Sequence, residues 1–432
     1  MLDIGFIRKH PKIVEEKAKQ KGYEVKIKKL LELDDERRSI LLRLEELRAK
    51  RNEWASKVKG GKPSEEQIER GKGLKLQIAE LETKLEPVEA GYQLLLKAVP
   101  NMPLDSVPVG KSENDNKVVK TVGDKPKFDF TPQNHYEIAE AKNWIDKERA
   151  AKVAGARFAY LKGDLVRLQL AIMQFVIDRL TDENVLKKII EDNKLKVSAK
   201  PFEPVLPPAI VNTTAYEATA RLDAEDVTYK LADDEMWLNA SAEHSLCNMF
   251  MNETIEGDQL PLRYVGYATS FRREAGTYGK DMEGIIRMHQ FDKLEMEVFS
   301  DDQTGEEEHK LLVAIQEYLM QELGLSYHIL QKCTADIGRP NAQGVDVEAW
   351  LPGQDKYRET HTADYMTDYQ ARRLKTKYRT KDGKSQLVHT NDATAFALGR
   401  ILVAIIENYQ TKDGNVRVPD VLKPYIGQRS EI

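Results

Sequence analysis

The sequence predicts an α+β protein: an N-terminal antiparallel helical coiled-coil arm, then a domain built on an antiparallel β-sheet flanked by helices. Three observations carry that reading. Apolar residues return at alternating steps of three and four between Ile27 and Val99, five prolines interrupt all periodicity between residues 100 and 132, and short period-two runs alternate with helical patterns from Val205 onward.

On the outgoing helix of the arm, Ile27, Leu30, Ile40, Leu44, Leu47, Trp54 and Val58 keep heptad spacing, with Arg37 and Arg51 at two seam positions. On the return helix, Leu74, Ile78, Leu81, Leu85, Val88, Tyr92, Leu95 and Val99 fall 4, 3, 4, 3, 4, 3 and 4 apart. Gly60-Gly61-Lys62-Pro63 breaks the helix, and Ser64 with Glu66 and Gln67 behind it reads as a new helix start. The expected hairpin is about 45 to 50 Å long. Its far end is basic: nine Lys or Arg against four Glu lie between Arg48 and Lys75, on a chain whose net charge is -5. A solvated basic face suits a polyanion, so Arg48, Arg51, Lys57, Lys59, Lys62, Arg70, Lys72 and Lys75 are candidate nucleic-acid contacts. The boundaries expected are residues 1–105 for the arm-bearing domain (the arm itself about 27–99), 106–132 for a linker or irregular edge, and 133–432 for the sheet domain.

With 432 residues, 66 Lys and Arg against 71 Asp and Glu, and two distant cysteines (Cys247 and Cys333), the chain excludes a uniformly basic nucleic-acid coat, a disulfide framework and a Cys/His zinc site. The first residues lack the apolar core of a signal peptide, and the longest apolar run, Ile401 to Ile406, is too short to span a bilayer. A cytoplasmic protein without a membrane partner is expected.

Two runs in the sheet domain carry chemistry. From Ile286 to Val298 the pattern has period two: Ile286, Met288, Leu294, Met296 and Val298 form one face, while Arg287, His289, Phe291, Lys293, Glu295 and Glu297 form the other. An aromatic ring within a row of ionisable groups suits a flat base with phosphates around it. Upstream, Ser270 to Glu274 reads as a partner strand with Arg272 and Glu274 on one face, joined to it by the loop Ala275 to Gly279. No Walker loop is present, since Gly383-Lys384-Ser385 has Tyr378 at the leading glycine position. Glu348, Glu359 and Thr362 supply oxygens of the kind Mg2+ takes, and Arg400 stands near the start of an apolar helix, where a cation opposes the helix dipole.

The order Phe271-Arg272-Arg273-Glu274, loop, Arg287-Met288-His289-Gln290-Phe291, then Gly399-Arg400 resembles class II aminoacyl-tRNA synthetases, and in detail the seryl-tRNA synthetase family. Phe202 to Pro208 is similar to motif 1, Phe271 to Glu295 to motif 2 and Ala397 to Arg400 to motif 3, and the arm and the stretch Glu148 to Phe158 match as well. The resemblance implies a sheet of six to seven antiparallel strands in a homodimer with motif 1 at the interface. It implies ATP as substrate, with Mg2+. Arg272 would meet the α-phosphate, Glu274 the adenine edge, Phe291 the stacked base, and Arg287 and Arg400 the outer phosphates. Arg273, Met288, Thr360 and His361 belong to the same ATP set, and Glu359 and Thr362 would serve Mg2+. Arg272, Glu274 and Arg400 are the implied catalytic residues. For L-serine the family's Thr-x-Glu motif falls on Ser241-Ala242-Glu243, with Arg272 and Thr394 beside it and Glu295 on the substrate hydroxyl. Two departures stand out: Ser241 replaces the usual threonine, and Asp392-Ala393-Thr394-Ala395 replaces Asn-Gly-Ser/Thr-Gly. The implied reaction is AMP-forming serine–tRNA ligation onto tRNA(Ser), with tRNA(Sec) left open, and with no DNA partner. Its rivals are an RNA-binding or structural paralogue and an adenylating ligase that loads a carrier protein.

Overall fold

The structure, a computed structural model, describes residues 1–57, 64–221, 228–274 and 284–432. It divides into two compact units, Met1–Met102 and Pro103–Ile432. The expected helix break at 60–63, the loop 275–279 and the candidates Lys59 and Lys62 lie outside the described residues, as does the side chain of Lys57.

In the first unit two short helices, α1 (Ile4–Lys9) and α2 (Pro11–Gln20), precede the long pair α3 (Ile27–Lys57) and α4 (Glu65–Ala98). Ser64 caps α4 through a reciprocal capping box with Gln67, as the sequence predicts. Leu44, Leu47 and Ile78 are buried between the long helices, with Ile40, Leu74, Leu81 and Leu85 packed around them. The seam is more polar than the heptad reading allows. Arg37 is partly buried, donating to Glu89 at 2.5 Å with its guanidinium 4.7 Å from the Tyr92 ring. Asp34 is 3% exposed and paired with Arg8 at 2.5 Å. Arg51, expected on the seam, is exposed instead.

The second unit is organised by one sheet of eight strands, β1 (Lys117–Val122), β2 (Glu203–Val205), β3 (Leu262–Phe271), β4 (Gln290–Ser300), β5 (Tyr327–Gln331), β6 (Gln343–Leu351), β7 (Lys356–Thr367) and β8 (His389–Ala397), in the order β1-β5-β6-β7-β8-β4-β3-β2. All neighbours are antiparallel except β2, which runs parallel to β3. The sheet is therefore one strand larger than the resemblance implied and is mixed at one edge. The opposite edge comes from the stretch expected to be a linker: Lys117–Val122, which alternates with no buried face, still pairs with Tyr327–Gln331. Its lysines are what an exposed edge tolerates, and with Val118 and Val119 both exposed it has no buried face for sequence patterning to read.

One face of the sheet is closed by helices α5 (Asp164–Leu180), α6 (Gly305–Glu322) and α7 (Leu398–Asn408). Leu294, Met296 and Val298 of β4 share a core with Val347, Ala363 and Ala393 of the neighbouring strands and with Phe175, Ile315, Leu319, Ile401 and Leu402 of the helices. The period-two pattern thus holds, and it leaves the other face of β4, β7 and β8 for polar groups. Beneath α6, Arg263 of β3 and Glu308 form a fully buried bidentate pair at 2.8 and 2.9 Å, and Arg263 also donates to the carbonyls of Ser198 and Lys200. Removing one member strands the other charge, so Glu308→Ala is expected to destabilise this unit by about 3–5 kcal/mol, read as a lower urea midpoint at unchanged slope.

Candidate active site

Strands β3 and β4 pair from Leu262↔Phe299 to Phe271↔Gln290, and the backbone N–H of Arg272 extends the ladder to the carbonyl of His289 at 2.9 Å. The strand stops there. Arg272 and Glu274, expected within it, instead follow its end, and Glu274 has φ 51°, a left-handed conformation that costs a non-glycine residue about 1–3 kcal/mol. Such a turn aims the carboxylate across the hairpin mouth, where it accepts from Arg287 at 2.5 Å. Arg272 donates from Nε to the Ala240 carbonyl at 3.1 Å and places its guanidinium 5.3 Å from the centre of the Phe291 ring.

Strands β7 and β8 and the first turn of α7 supply the facing wall. Arg400 donates to the Glu359 carboxylate at 2.6 Å and to its carbonyl at 3.1 Å. Burial works against ionisation at Glu359, but the charges of Arg400 and Lys332 outweigh it and hold the carboxyl down to about 2, even though nearly half of its side chain is open to solvent. Between the two walls lies an open cavity, which Arg272, Glu274, Arg287, Met288, Phe291, Glu359, Thr360, Thr362, Thr394 and Arg400 all line. A wider polar groove continues from Glu359 past Glu348, Asp346 and Lys332. Its acids are hard oxygen donors, yet among the described residues no three His, Cys, Asp or Glu are arranged to hold a metal by themselves. The donor set therefore suits Mg2+ only where phosphate oxygens and water complete the shell.

Lys293 and Thr394 of the cavity wall adjoin a buried charge cluster. Glu295 is fully buried on β4, directly opposite Thr394 of β8. One of its oxygens is taken by Lys293, in a close ion pair, and by the Ser241 hydroxyl at 3.1 Å; the other has no hydrogen-bond partner among the described residues. The Ser241–Glu243 turn comes this close because it lies over Gly266 of β3, where a Cβ would meet the Ala242 methyl at 3.2 Å and a Leu246 methyl at 2.8 Å. Glu243 accepts from Arg221 and from Gln370, both at 3.0 Å. The second terminal nitrogen of Arg221 reaches Asp392 at 3.1 Å and Asp364 at 3.4 Å. Burial raises the Glu295 carboxyl against the pull of Lys293, and burial with Glu243 nearby raises Asp392 far above its ordinary range despite Arg221. Glu243 goes the other way, because Arg221 and His244 more than offset its burial.

The row of ionisable groups on β4 is thus inward-facing and buried. Of the predicted residues, Ser241, Glu243 and Glu295 belong to the buried cluster rather than to the cavity lining, and three more, His361, Arg273 and Ala242, lie off both. His361 points to the helix face, where its ring packs 5.1 Å from Phe396 and burial lowers it to about 3. A register shift next to Thr360 turns the strand so that Glu359 and Thr362 face the cavity while His361 does not. Arg273 is exposed and lies 5.5 Å from the Tyr229 ring, and Ala242 is packed in the core above β3. On the arm, Arg48 is paired with Glu82 at 2.7 Å and Arg70 lies 4.5 Å over Trp54, while Arg51, Lys72 and Lys75 are exposed. Sequence reasoning missed Arg221, Lys293, Asp364 and Glu297 as members of the cluster. Lys293 and Glu297 had a signal, their place on the same face as Phe291; Arg221 had none, lying in an aperiodic stretch.

Residues 1–103 match the seryl-tRNA synthetase N-terminal domain model, and residues 228–409 match the tRNA synthetase class II core domain (G, H, P, S and T). The serine–tRNA ligase of Nitrosopumilus maritimus is 36% identical over the whole of both chains. The chain belongs to the seryl-tRNA synthetase family. That of Thermodesulfovibrio yellowstonii is 38% identical over 99% of each chain, and the crystal structure of Pyrococcus horikoshii seryl-tRNA synthetase complexed with ATP superposes with a TM-score of 0.86 at 38% identity, covering 100% of this chain and 99% of that one. The chain is thus a class II aminoacyl-tRNA synthetase, and the full-length match favours neither the structural paralogue nor the carrier-protein ligase.

Glu297 offers a test of the cluster's electrostatics. It is fully buried opposite Asp392, both its oxygens lack partners among the described residues, and burial with the charge of Asp392 raises it well above 4.5. A carboxyl raised on folding binds more protons folded than unfolded, so it lowers stability progressively as pH climbs above the unfolded value near 4.5. Glu297→Gln is expected to flatten that decline, gaining stability relative to the parent at pH 8 over pH 5 in urea titrations. A parallel pH dependence in the two proteins would contradict the raised carboxyl.

Proposed function

We propose that this enzyme activates L-serine with ATP, releasing pyrophosphate, and transfers serine from the adenylate to the 3′ end of tRNA(Ser), as a cytoplasmic homodimer. The observation that supports the serine assignment is the unpartnered, fully buried Glu295 oxygen, set beside Lys293 and Thr394, which line the cavity. A buried acceptor left unpaired costs about 1–3 kcal/mol, and a small substrate hydroxyl relieves it where a methyl cannot.

The remaining roles are proposed on the side chains that line the cavity. The Phe291 ring offers a stacking face for adenine and Glu274 an acceptor for its amino edge, held in place by Arg287. Arg272, oriented by the Ala240 carbonyl, would meet charge developing on the α-phosphate, and Arg287 and Arg400, which line the same cavity, would meet the outer phosphates. Mg2+ would be held by Glu359 and Thr362 together with those phosphates, neutralising charge on the leaving pyrophosphate. The L-serine carboxylate is the nucleophile and is already ionised, so no general base is required; orientation and fixed charge carry the rate. Ser241, Glu243 and Thr394 would close around the amino acid. Pyrophosphate exchange dependent on L-serine, followed by charging of tRNA(Ser), tests the whole reading.

Glu295→Ala is expected to lower kcat/KM for L-serine about 10- to 100-fold, with KM for ATP little changed and selectivity against alanine eroded. Parallel losses for both amino acids would remove Glu295 from hydroxyl recognition. On the arm, replacing the exposed Arg51, Lys72 and Lys75 by Gln should raise KM for tRNA and flatten its salt dependence, because fewer counterions are released, while leaving pyrophosphate exchange intact. An unchanged salt slope would make that surface a solvated face only.

A further inference from the structure

His135 lies outside the cavity, yet it is 2% exposed, and everything around it converges on the segment that carries Arg287 and Met288. Its Nδ1 is 2.9 Å from Oε1 of Glu407, a fully buried residue near the end of α7, and its backbone N–H donates to the same oxygen at 3.2 Å. Glu407 also accepts from the backbone N–H of Gly353 at 3.0 Å and from Gln354 at 3.1 Å. A carboxylate with four donors holds the imidazole in place through its Nδ1 side. Its Nε2 is buried with no hydrogen-bond partner among the described residues, and it is pressed against Gly284, where a Cβ would come within 1.7 Å of it.

Gly284 has φ 66°, a left-handed turn that glycine adopts without cost, and the chain leaving it is pinched a second time. The Ile285 carbonyl lies against Gly399, where a Cβ would come within 3.1 Å, in the first turn of the helix that carries Arg400. Ile285 and Met288 then insert into the main core at 4% and 6% exposure. The start of this segment is set between two walls, the His135 ring and the N-terminal turn of α7, and Glu407 ties the first wall to the same helix as the second.

We infer that His135, fixed by Glu407, is a positioning residue that sets the path of the chain from Gly284 to Met288 and thereby places Arg287 and Met288 against Arg400 across the nucleotide cavity. The ring touches no substrate; it acts through the backbone it confines. The inference rests on the ATP reading of that cavity.

The test compares His135→Ala, His135→Gln and Gly284→Ala in the full-length enzyme by serine-dependent pyrophosphate exchange, with thermal midpoints and active-site titration of each variant. His135→Ala removes the wall, and Gly284→Ala pushes the chain off it. Both are expected to raise KM for ATP about tenfold, with KM for L-serine within about twofold of the parent. His135→Gln keeps an amide near the place of Nε2 and should recover part of the ATP affinity. A merely structural His135 would instead lower the thermal midpoint and the titrated active fraction while leaving KM for ATP in the remaining sites unchanged, in all three variants, and that result overturns the inference. If the parent enzyme shows no serine-dependent exchange, the ATP and serine reading fails first, so the two failures are told apart.

Discussion

Four carboxylates, Glu243, Glu295, Glu297 and Asp392, are held at no more than 4% exposure on one side of the central strands, and the rest of the catalytic unit is arranged around that burial. Removing an ionised carboxylate from water costs several kcal/mol unless a cation, hydrogen bonds or a proton answer it. Arg221 answers Glu243 and reaches Asp392, Lys293 answers Glu295, and burial shifts Glu297 and Asp392 toward their neutral forms. Because Asp392 faces Glu297 and Thr394 faces Glu295 across one strand pair, the register of β4 with β8 decides which charges meet. A slip of one residue would send Leu294 and Met296 into the cluster and the acids into the apolar core.

The same constraint accounts for the division between the cavity and the cluster beside it. The cavity has cations in excess of what its acids neutralise locally, with Arg272, Arg287 and Arg400 around Glu274 and Glu359, which suits phosphates. The cluster has acids in excess, which suits a small substrate carrying an ammonium group and a hydroxyl. Asp392 fits this division. Where the resemblance leads one to expect an amide, this chain carries an acid, and burial beside Glu243 disfavours its charged form even with Arg221 3.1 Å away.

Much of this was legible before the structure. The heptad steps gave the hairpin, and the period-two run from Ile286 to Val298 gave β4, which starts four residues later at Gln290, because its apolar face packs on the helices and its polar face on other charged groups, and that difference is written into the sequence. The order of Arg272, Glu274, Phe291 and Arg400 marked the cavity through a family likeness rather than through spacing. What remained hidden has physical reasons. The strand Lys117–Val122 buries no face and so has no pattern to read; His361 was misplaced because a local shift in β7 reverses the parity of the residues around it; and Arg221 and Asp364 enter the cluster only through tertiary contact.

The polar groups along the helical arm bear on its geometry in another way. A seam of leucines alone tolerates sliding, since one heptad looks much like the next, but Arg37 meeting Glu89 beside Tyr92, and Arg48 meeting Glu82, can be satisfied in a single alignment. A shift of one heptad would displace one helix against the other by about 10 Å and leave a half-buried guanidinium with nothing to bind. The hairpin is therefore calibrated as well as stable: its polar pairs act as graduation marks that fix one helix against the other along their described length.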